Sequence, residues 1–524
     1  MSPFQPILIA IAVAALVVAL TALARRLPIP SPILQVLAGL ALGFLPGVSV
    51  PELEPDLVFF VFLPPILWAA AFFTSLREFR QAIRPIGLLA VGLVFTTTAV
   101  VAIASHALLP NLPWAVAIAL GAIVSPPDAV AAAAVVSRLP VPRRVIVILE
   151  GESLVNDAAA LVLYRTAVVA AVTGVFSLGE SIVRFFIDAA IGTLIGILVA
   201  WCVVRIIRWT KDSLAETLLT IAAPYLAWVA AESIHVSAVL ACVAGGIYLR
   251  QHFSTVVSPT SRLQSRAVWD LIIFILNALV FLILGLEVGP IITQVPPQTL
   301  TSVLVAGAAL SLVTIVLRLL WVPVATFVPR HLSAAIRRRE PVPNPKAVAL
   351  VAWTGMRGIV SLASALALPL ALGNGAPFPY RAEIILITMC VIMITLVVQG
   401  LTLTPLIKAF NFAPEIGHQA EERHARREAL RRGAEALEDL SRESWADPAE
   451  VERIRRELRD RMQHHEHHTR DKDTHRRLRT GVLKAERRML VRLRNEGAIS
   501  DETLRELEEE LDHESVRLGA GDIR

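Results

Sequence analysis

Thirteen apolar runs follow one another through the first 410 residues: 5–24, 31–47, 56–75, 85–108, 113–136, 144–173, 179–207, 214–232, 235–250, 267–288, 299–328, 346–372 and 382–409. Crossing about 30 Å of hydrocarbon takes roughly 20 residues of helix. Lipid offers no partner for a backbone N–H or C=O, so runs of this length can span only as helices. Charge separates this part from the rest. Of 93 charged side chains, 51 lie in the last 114 residues and 42 in the first 410. The expected fold is an all-α polytopic membrane domain over residues 1–411, followed by a charged, water-soluble helical tail over 412–524.

The loops test the span count independently. Basic residues cluster at or after the ends of odd-numbered spans: Arg25 and Arg26; Arg77, Arg80 and Arg84; Arg138, Arg143 and Arg144; Arg205, Arg208 and Lys211; Arg250, Arg262 and Arg266; Arg330, Arg337, Arg338, Arg339 and Lys346. The loops after even spans hold only Arg381, and Arg184, just inside span 7, runs mildly against the pattern. The positive-inside rule puts the larger set in the cytoplasm. The N-terminus is then outside, the tail inside, and a bacterial inner (plasma) membrane is the expected location. Met1–Ala22 has no basic segment before its apolar run and reads as a first span, not a cleaved signal. The membrane part carries +8 and the tail −3, so the basic pI reflects loop charge and does not imply a nucleic-acid partner. Cys202, Cys242 and Cys390 are far apart in apolar runs and read as small buried residues, not as a disulfide or metal set.

Thirteen spans divide into six, one linker and six. Two six-span halves of opposite orientation are what an inverted repeat requires, and the division pairs span 5 with span 12. Both are interrupted, by Ser125-Pro126-Pro127-Asp128 and by Gly355-Met356-Arg357-Gly358. Breaks at corresponding positions of two halves point to a binding site near the bilayer midplane.

An ionisable side chain at that depth costs about 2.5–3.5 kcal/mol on insertion scales. The deep ones are Asp128, Glu152, Asp157, Arg318 and Arg357. Glu150, Arg165, Asp188, Glu232, Asp270 and Glu287 lie nearer span ends and read as interfacial charges. Three acids and two bases leave one negative charge to hold a cation. In span 6, Gly151-Glu152-Ser153-Leu154-Val155-Asn156-Asp157, the i,i+4 pair Ser153 and Asp157 shares a helix face, while Glu152 and Asn156 share the next. A hydroxyl and a carboxylate can then converge on one ion as Glu152 turns toward a base. Pro126 and Pro127 break span 5 and free carbonyls nearby, with Pro127 O and Asp128 beside the site. Desolvation favours the protonated carboxyl and a bound cation the ionised one. Competition of proton and cation for Asp157, with alternating access, is sufficient for exchange. No GxxxxGK[ST] or GxGxxG sequence is present to couple transport to a nucleotide.

The stretch Gly151–Tyr164, GESLVNDAAALVLY, resembles the signature of the monovalent cation:proton antiporter-1 family, which takes in bacterial and archaeal NhaP antiporters and eukaryotic sodium/proton exchangers. VFFVFLPPIL (58–67), SPPDAV, LVTIVLRLLWVP with Arg318, and Gly355-Met356-Arg357-Gly358 resemble further family segments in the same order over about 400 residues. The resemblance implies a homodimer of thirteen-span protomers, each with a six-helix ion-translocation bundle moving against a dimer domain. It implies Asp157 as the exchanged site with Asn156 beside it, a pairing typical of electroneutral members. It also implies ion pairs of Glu152 with Arg318 and of Asp128 with Arg357. Two positions depart from the usual pattern. Ala69 stands where many members carry an acid, and Pro127 where many carry Thr.

The expected function is therefore antiport of a monovalent cation against H⁺, with Asp157, Asp128, Ser153, Asn156 and the Pro127 carbonyl as the Na⁺ or H⁺ site. Na⁺ is the first choice and K⁺ (or Li⁺) the alternative. No cofactor and no catalytic residue is expected. A gated cation channel would lack proton-coupled counterflow. An intramembrane protease lacks a His base near Ser153, although Asp128 and Asp157 could mimic an aspartyl dyad. In the tail, Glu421–Leu440, Val451–Met462 and Asp501–Leu518 read as helices, and Leu490–Leu511 as a hairpin turning at Asn495-Glu496-Gly497. His464, His465, His467 and His468 read as a solvated linker more readily than as a metal or pH-sensing site. The tail is expected to regulate transport, with a regulatory ligand as a possible partner, and not to carry it.

Overall fold

A computed structural model describes residues 4–27, 29–45, 55–128, 132–133, 136, 139–174, 178–210, 212–340, 342–372, 375–412 and 416–466, with scattered positions from 481 to 514. The described residues form helices and one isolated bridge, Ala371 to Pro377. The chain divides into two units, Met1–Pro414 and Glu415–Arg524.

The first unit contains α1 (Gln5–Arg26), α2 (Ser31–Gly43), α3 (Pro55–Phe73), α4 (Leu76–Gln81) and α5 (Ile83–Gly87). A π-helical turn (Leu88–Leu93) leads into α6 (Val94–Leu108), followed by α7 (Trp114–Val124), α8 (Arg143–Thr173), α9 (Leu178–Trp209) and α10 (Ser213–Glu232). Then come α11 (Ala238–Val256), α12 (Pro259–Leu286), α13 (Val288–Gln294), α14 (Pro297–Leu332), α15 (Ala334–Arg339), α16 (Pro345–Trp353), α17 (Ile359–Leu366) and α18 (Arg381–Phe410). Among the described residues, 7 helical stretches are long and apolar enough to cross a membrane, and Ser31–Gly43, Phe59–Phe73 and Trp114–Val124 are shorter apolar helices.

The helices fall on the expected segments, with instructive shifts in their ends. The helix of span 10 begins at Pro259, eight residues before the apolar run, because Ser258 caps it through the Ser261 amide. Its first turns carry Arg262 and Arg266 and so escape a hydrophobicity reading. Span 12 was expected to continue to 372, but α17 stops at Leu366, three residues before Pro369. Cys202 is exposed, against the expectation of burial, while Cys242 is buried.

Two apolar cores organise this unit. One gathers Ile33, Leu93, Leu120, Leu149, Leu310, Leu350 and Ile387, from α2, the π turn, α7, α8, α14, α16 and α18. The other gathers Leu63, Trp68, Val203, Trp228, Leu249 and Trp269, from α3 and α9–α12, and takes in Ala158 of α8 and Ile359 and Ala363 of α17. Lipid tails are as apolar as leucine, so helices in a membrane associate mainly through close packing. A Cβ on Gly285 would lie 2.0 Å from the Val36 carbonyl of α2, and one on Gly39 2.0 Å from the Leu282 carbonyl of α12. Gly196 of α9 meets Ala241 of α11 in the same way, again at 2.0 Å.

Beyond the spans, Glu340 joins Arg84, 256 residues away, to Arg330, ten residues before it. Arg84 donates to it at 2.7 and 2.6 Å, and Arg330 at 2.7 Å. The Arg84 hydrogen bonds, with the charge of Arg330 adding, hold the Glu340 carboxyl below the ordinary carboxylate range.

The second unit contains α19 (Ile416–Leu440) and α20 (Pro448–Glu466), joined through Arg455, which donates to Glu438 at 2.7 Å. Helix α20 takes in His464 and His465; His467 and His468, and most of the expected hairpin and last helix, lie outside the described residues.

Gly285→Leu should cost about 1–3 kcal/mol or more through overpacking, read as a lower Tm and loss of a monodisperse peak. Gly87→Ala, with nothing within 4 Å of the new Cβ, should be neutral in the same measurement. Glu340 has a lowered folded pKa. Its contribution is therefore complete above the unfolded value of about 4.3 and is lost as acid protonates it through the folded value. Glu340→Gln should thus melt below wild type at pH 7, with the difference shrinking below about pH 4.

Candidate functional site

The site forms where two interrupted helices meet. Helix α7 ends at Val124, ahead of Pro126 and Pro127, which lack an N–H and cannot continue the ladder. In the opposite half, α16 ends at Trp353 and α17 begins at Ile359, leaving residues 354–358 non-helical. The Asp128 amide donates to the Met356 carbonyl at 2.7 Å, so one break lies directly on the other. Gly358 permits this approach: a Cβ there would sit 1.7 Å from Asp128 Oδ2.

The freed backbone groups find partners among the buried polar side chains. Arg357 is 1 % exposed. Its Nε donates to the Val124 carbonyl at 3.0 Å, at the end of α7, and its Nη1 to the Gly355 carbonyl. Its own amide donates to Thr395 Oγ1 of α18 at 3.2 Å. Asn156 donates from Nδ2 to the Pro127 carbonyl at 2.9 Å, tying α8 to the first break. Arg318 donates to the Val351 carbonyl of α16 at 3.1 Å.

Glu152 and Arg318 form a two-pronged ion pair, with Nη1–Oε1 at 2.5 Å and Nη2–Oε2 at 2.8 Å. The side chains are 2 % and 1 % exposed. The planar fork meets the carboxylate on both oxygens, the geometry in which a buried pair holds best. One turn further along α8, Asn156 and Asp157 are buried, and Ser153 is half-buried. Asp128 lies within electrostatic reach of Asp157. Asn156 Oδ1 has no hydrogen-bond partner among the described residues. The structure thus brings Asp157, Asn156, Pro127, Asp128 and Arg357 together at the crossing, with Glu152 and Arg318 alongside. Ala69 is buried in the second apolar core and offers no ligand oxygen.

A cavity of about 610 Å³ runs between α8 and the face made by α3, α10 and α11. Ala158, next to Asp157, lines it, as do Tyr164, Arg165, Trp228 and Glu232. Arg165 and Glu232 pair across it at 3.3 Å. On the other side of Asp157, Leu154 packs with Ala71 and Val243, and Val155 and Ile247 pack against them. Along α8 the cavity thus begins just after Asp157, and apolar contact lies just before it.

Some parts of the site carried no sequence signal. Thr395 sits in an apolar run, and only its burial marks it. The acceptors Val124, Gly355 and Val351 act through backbone oxygens, which residue identity cannot reveal. Glu287, expected at an interface, is buried, and its Oε1 has no partner among the described residues.

Two broken helices crossing at buried carboxylates, in an all-helical membrane protein, define an ion-coupled secondary transporter. The family model described as "Sodium/hydrogen exchanger, transmembrane" matches residues 11–409. The chain is 32% identical over 525 residues to an uncharacterized Na⁺/H⁺ exchanger of Mycobacterium tuberculosis (strain H37Rv), covering 98% of this chain and 96% of that one. It is 32% identical to a sodium, potassium, lithium and rubidium/H⁺ antiporter of Bacillus subtilis, covering 92% of this chain and 73% of that one. Its fold is similar to that of the sodium proton antiporter MjNhaP1 from Methanocaldococcus jannaschii, with TM-score 0.60 and 21% identity over 78% of this chain and 99% of that one. The chain belongs to the sodium/hydrogen exchanger family, the monovalent cation:proton antiporters that its motifs resemble. It is an integral membrane secondary transporter and not an enzyme.

Removing one partner of the buried fork leaves an uncompensated charge, a loss of about 3–5 kcal/mol. Glu152→Leu and Arg318→Met should each lower the Tm sharply, and the double variant should recover most of the loss in the same melt.

Proposed function

We propose that the protein exchanges a monovalent cation for H⁺ by alternating access to one site, in which the two compete for Asp157. The observation that carries this is the arrangement of charge at the crossing. Glu152 is neutralised by Arg318, and Asp157 sits beside the broken helices with Asn156 and Ser153 on its own helix. A hard monovalent cation needs several oxygens in place of its hydration shell. Asp157, Asp128, Ser153 and the Pro127 carbonyl supply a set of that kind. The Asn156 amide anchors the carbonyl from the other side. Protonation of Asp157 removes the charge that holds the cation, and deprotonation restores it. With one exchanged carboxylate and Asn where a second acid would stand, one positive charge moves each way and the cycle is electroneutral.

Na⁺ is the first cation assigned. The Bacillus subtilis relative's name includes potassium, lithium and rubidium, and the site here lacks an acid at Ala69, so K⁺ is the alternative. Thirteen crossings, with the N-terminus outside and the tail in the cytoplasm of an inner-membrane protein, follow from the distribution of basic residues. In that orientation the 610 Å³ cavity lies toward the outer side of Asp157 along α8, and the Leu154 cluster toward the cytoplasmic side. Two protomers are assigned to the assembly, and the tail, residues 412–524, is assigned a regulatory role with a ligand of its own.

Purified protein in sealed liposomes, with a pH dye and an imposed gradient, tests the reading. Na⁺, K⁺ and Li⁺ are added in turn. Wild type should collapse the gradient, unaffected by clamping the membrane potential, and Asp157→Asn should be inactive with an unchanged Tm. Exchange by Asp157→Asn at the wild-type rate would remove Asp157 from the site. A folded wild type silent with all three ions would remove antiport of these cations.

A further inference from the structure

A second cavity, of about 270 Å³, lies away from the crossing, between the end of α3, the start of α10, the end of α11 and the start of α12. Its charge is one-sided. Arg250, Arg262 and Arg266 line it, and among the described residues no acid does. Arg250 holds its guanidinium over the Phe72 ring, 5.7 Å from the centroid. Arg262 donates to the Val257 carbonyl at 2.7 Å, which fixes its direction. The acids on these helices are turned elsewhere: Glu216 is buried and accepts from the Ser258 amide at 3.3 Å, and Asp270 is exposed and does not line the space. The inner wall is apolar and aromatic, from Trp68, Leu249, Phe253 and Trp269. The polar atoms of that wall are already engaged: Trp269 Nε1 donates to Thr220 Oγ1 at 3.1 Å, and Ser265 Oγ meets Thr217 Oγ1 at 3.0 Å. Leu263 (64% exposed) and Phe73 (45% exposed) stand at the rim.

We propose that this cavity is a binding site for one anionic phospholipid, with the headgroup phosphate among Arg250, Arg262 and Arg266 and the upper part of an acyl chain against Leu263, Phe73 and Trp269. The proposal rests on the orientation given above, which puts the three arginines at the cytoplasmic surface, where anionic lipid is enriched. Both parts of the lipid are needed to account for the site. A free phosphate would use the arginines and leave the apolar rim exposed. A neutral lipid would use the rim and give the arginine-lined part of the cavity no anion. Arginine suits the task because its planar fork binds phosphate at two points and stacks on an aromatic face.

Native mass spectrometry of the full chain in detergent tests this directly, with phosphatidylglycerol and phosphatidylcholine of identical chains titrated in turn. The readout is lipid retained, independent of transport, so failure of the lipid site and failure of antiport are separable. Wild type should retain one phosphatidylglycerol well above phosphatidylcholine. Each Arg→Gln change should weaken the preference about fivefold, and the triple variant about a hundredfold. Arg266→Gln, at an exposed position, carries the test alone if the triple variant does not fold. Equal retention of the two lipids by wild type would overturn the proposal, as would an unchanged preference in Arg266→Gln. Displacement of phosphatidylglycerol by millimolar inorganic phosphate would assign the arginines to a soluble anion and overturn it as well.

Discussion

Inside a bilayer every backbone donor and acceptor must find its partner within the protein. This structure breaks that rule twice and then repairs it. The end of α7 leaves Val124 and Pro127 with free carbonyls, and the gap between α16 and α17 leaves Val351, Gly355 and Met356. All five receive a donor: the Arg357 side chain at Val124 and Gly355, Asn156 at Pro127, Arg318 at Val351 and the Asp128 amide at Met356. The buried charges are therefore not simply expensive passengers. Without Arg357 the Val124 and Gly355 carbonyls would lose their donors, and without the breaks Arg357 would lose both acceptors.

The same accounting sets Glu152 apart from the other two acids. Two guanidinium groups come with three acids. Arg318 is committed to Glu152 by both prongs, with its remaining capacity directed to Val351. Arg357 is held at the crossing by three hydrogen bonds, its side chain donating to the Val124 and Gly355 carbonyls and its amide to Thr395 Oγ1. Neither base is arranged as a fork on Asp157. That carboxyl is buried beside Asn156 on its own helix, and gain or loss of a proton or a cation there changes the local charge directly. A carboxylate locked in a fork like that of Glu152 could not exchange ligands on a useful timescale.

Much of this was legible in the sequence because membranes make polarity conspicuous. A charge within an apolar run identifies itself, so Asp128, Glu152, Asp157, Arg318 and Arg357 stood out, and the run lengths located the helices. Proline and glycine marked both breaks for reasons of backbone chemistry alone. What stayed hidden depends on three-dimensional proximity. Glu340 and Arg84 are 256 residues apart, and nothing local predicts that they meet. The π turn at Leu88–Leu93 lies in an unremarkable apolar run; Gly92, whose Cβ would approach Trp321 to 2.9 Å, and the Trp321 bond to Leu88 O at 3.2 Å explain it only afterwards. Helix ends were misjudged where the helix outruns the apolar run, as at Pro259.

The packing also distinguishes contacts that can move from those that cannot. Between α2 and α12, and between α9 and α11, glycines bring backbones together so closely that no side chain separates them. Such contacts fix one register, because sliding by a residue replaces a glycine with a side chain that will not fit. Where the second core meets the crossing, the buried contact is made instead by Ala158, Ile359 and Ala363. These side chains carry no hydrogen bond or charge across the boundary, so displacement there exchanges one apolar contact for another at small cost. The one described ion pair across the cavity, Arg165 with Glu232, is half-exposed at 53% and 44%, and pairs of that kind are worth at most about 1 kcal/mol. Glycine-locked helix pairs, a crossing whose breaks satisfy each other and apolar contacts between them are the packing that the proposed alternating access would call on, since an apolar contact can be exchanged for another without breaking the hydrogen bonds of the crossing.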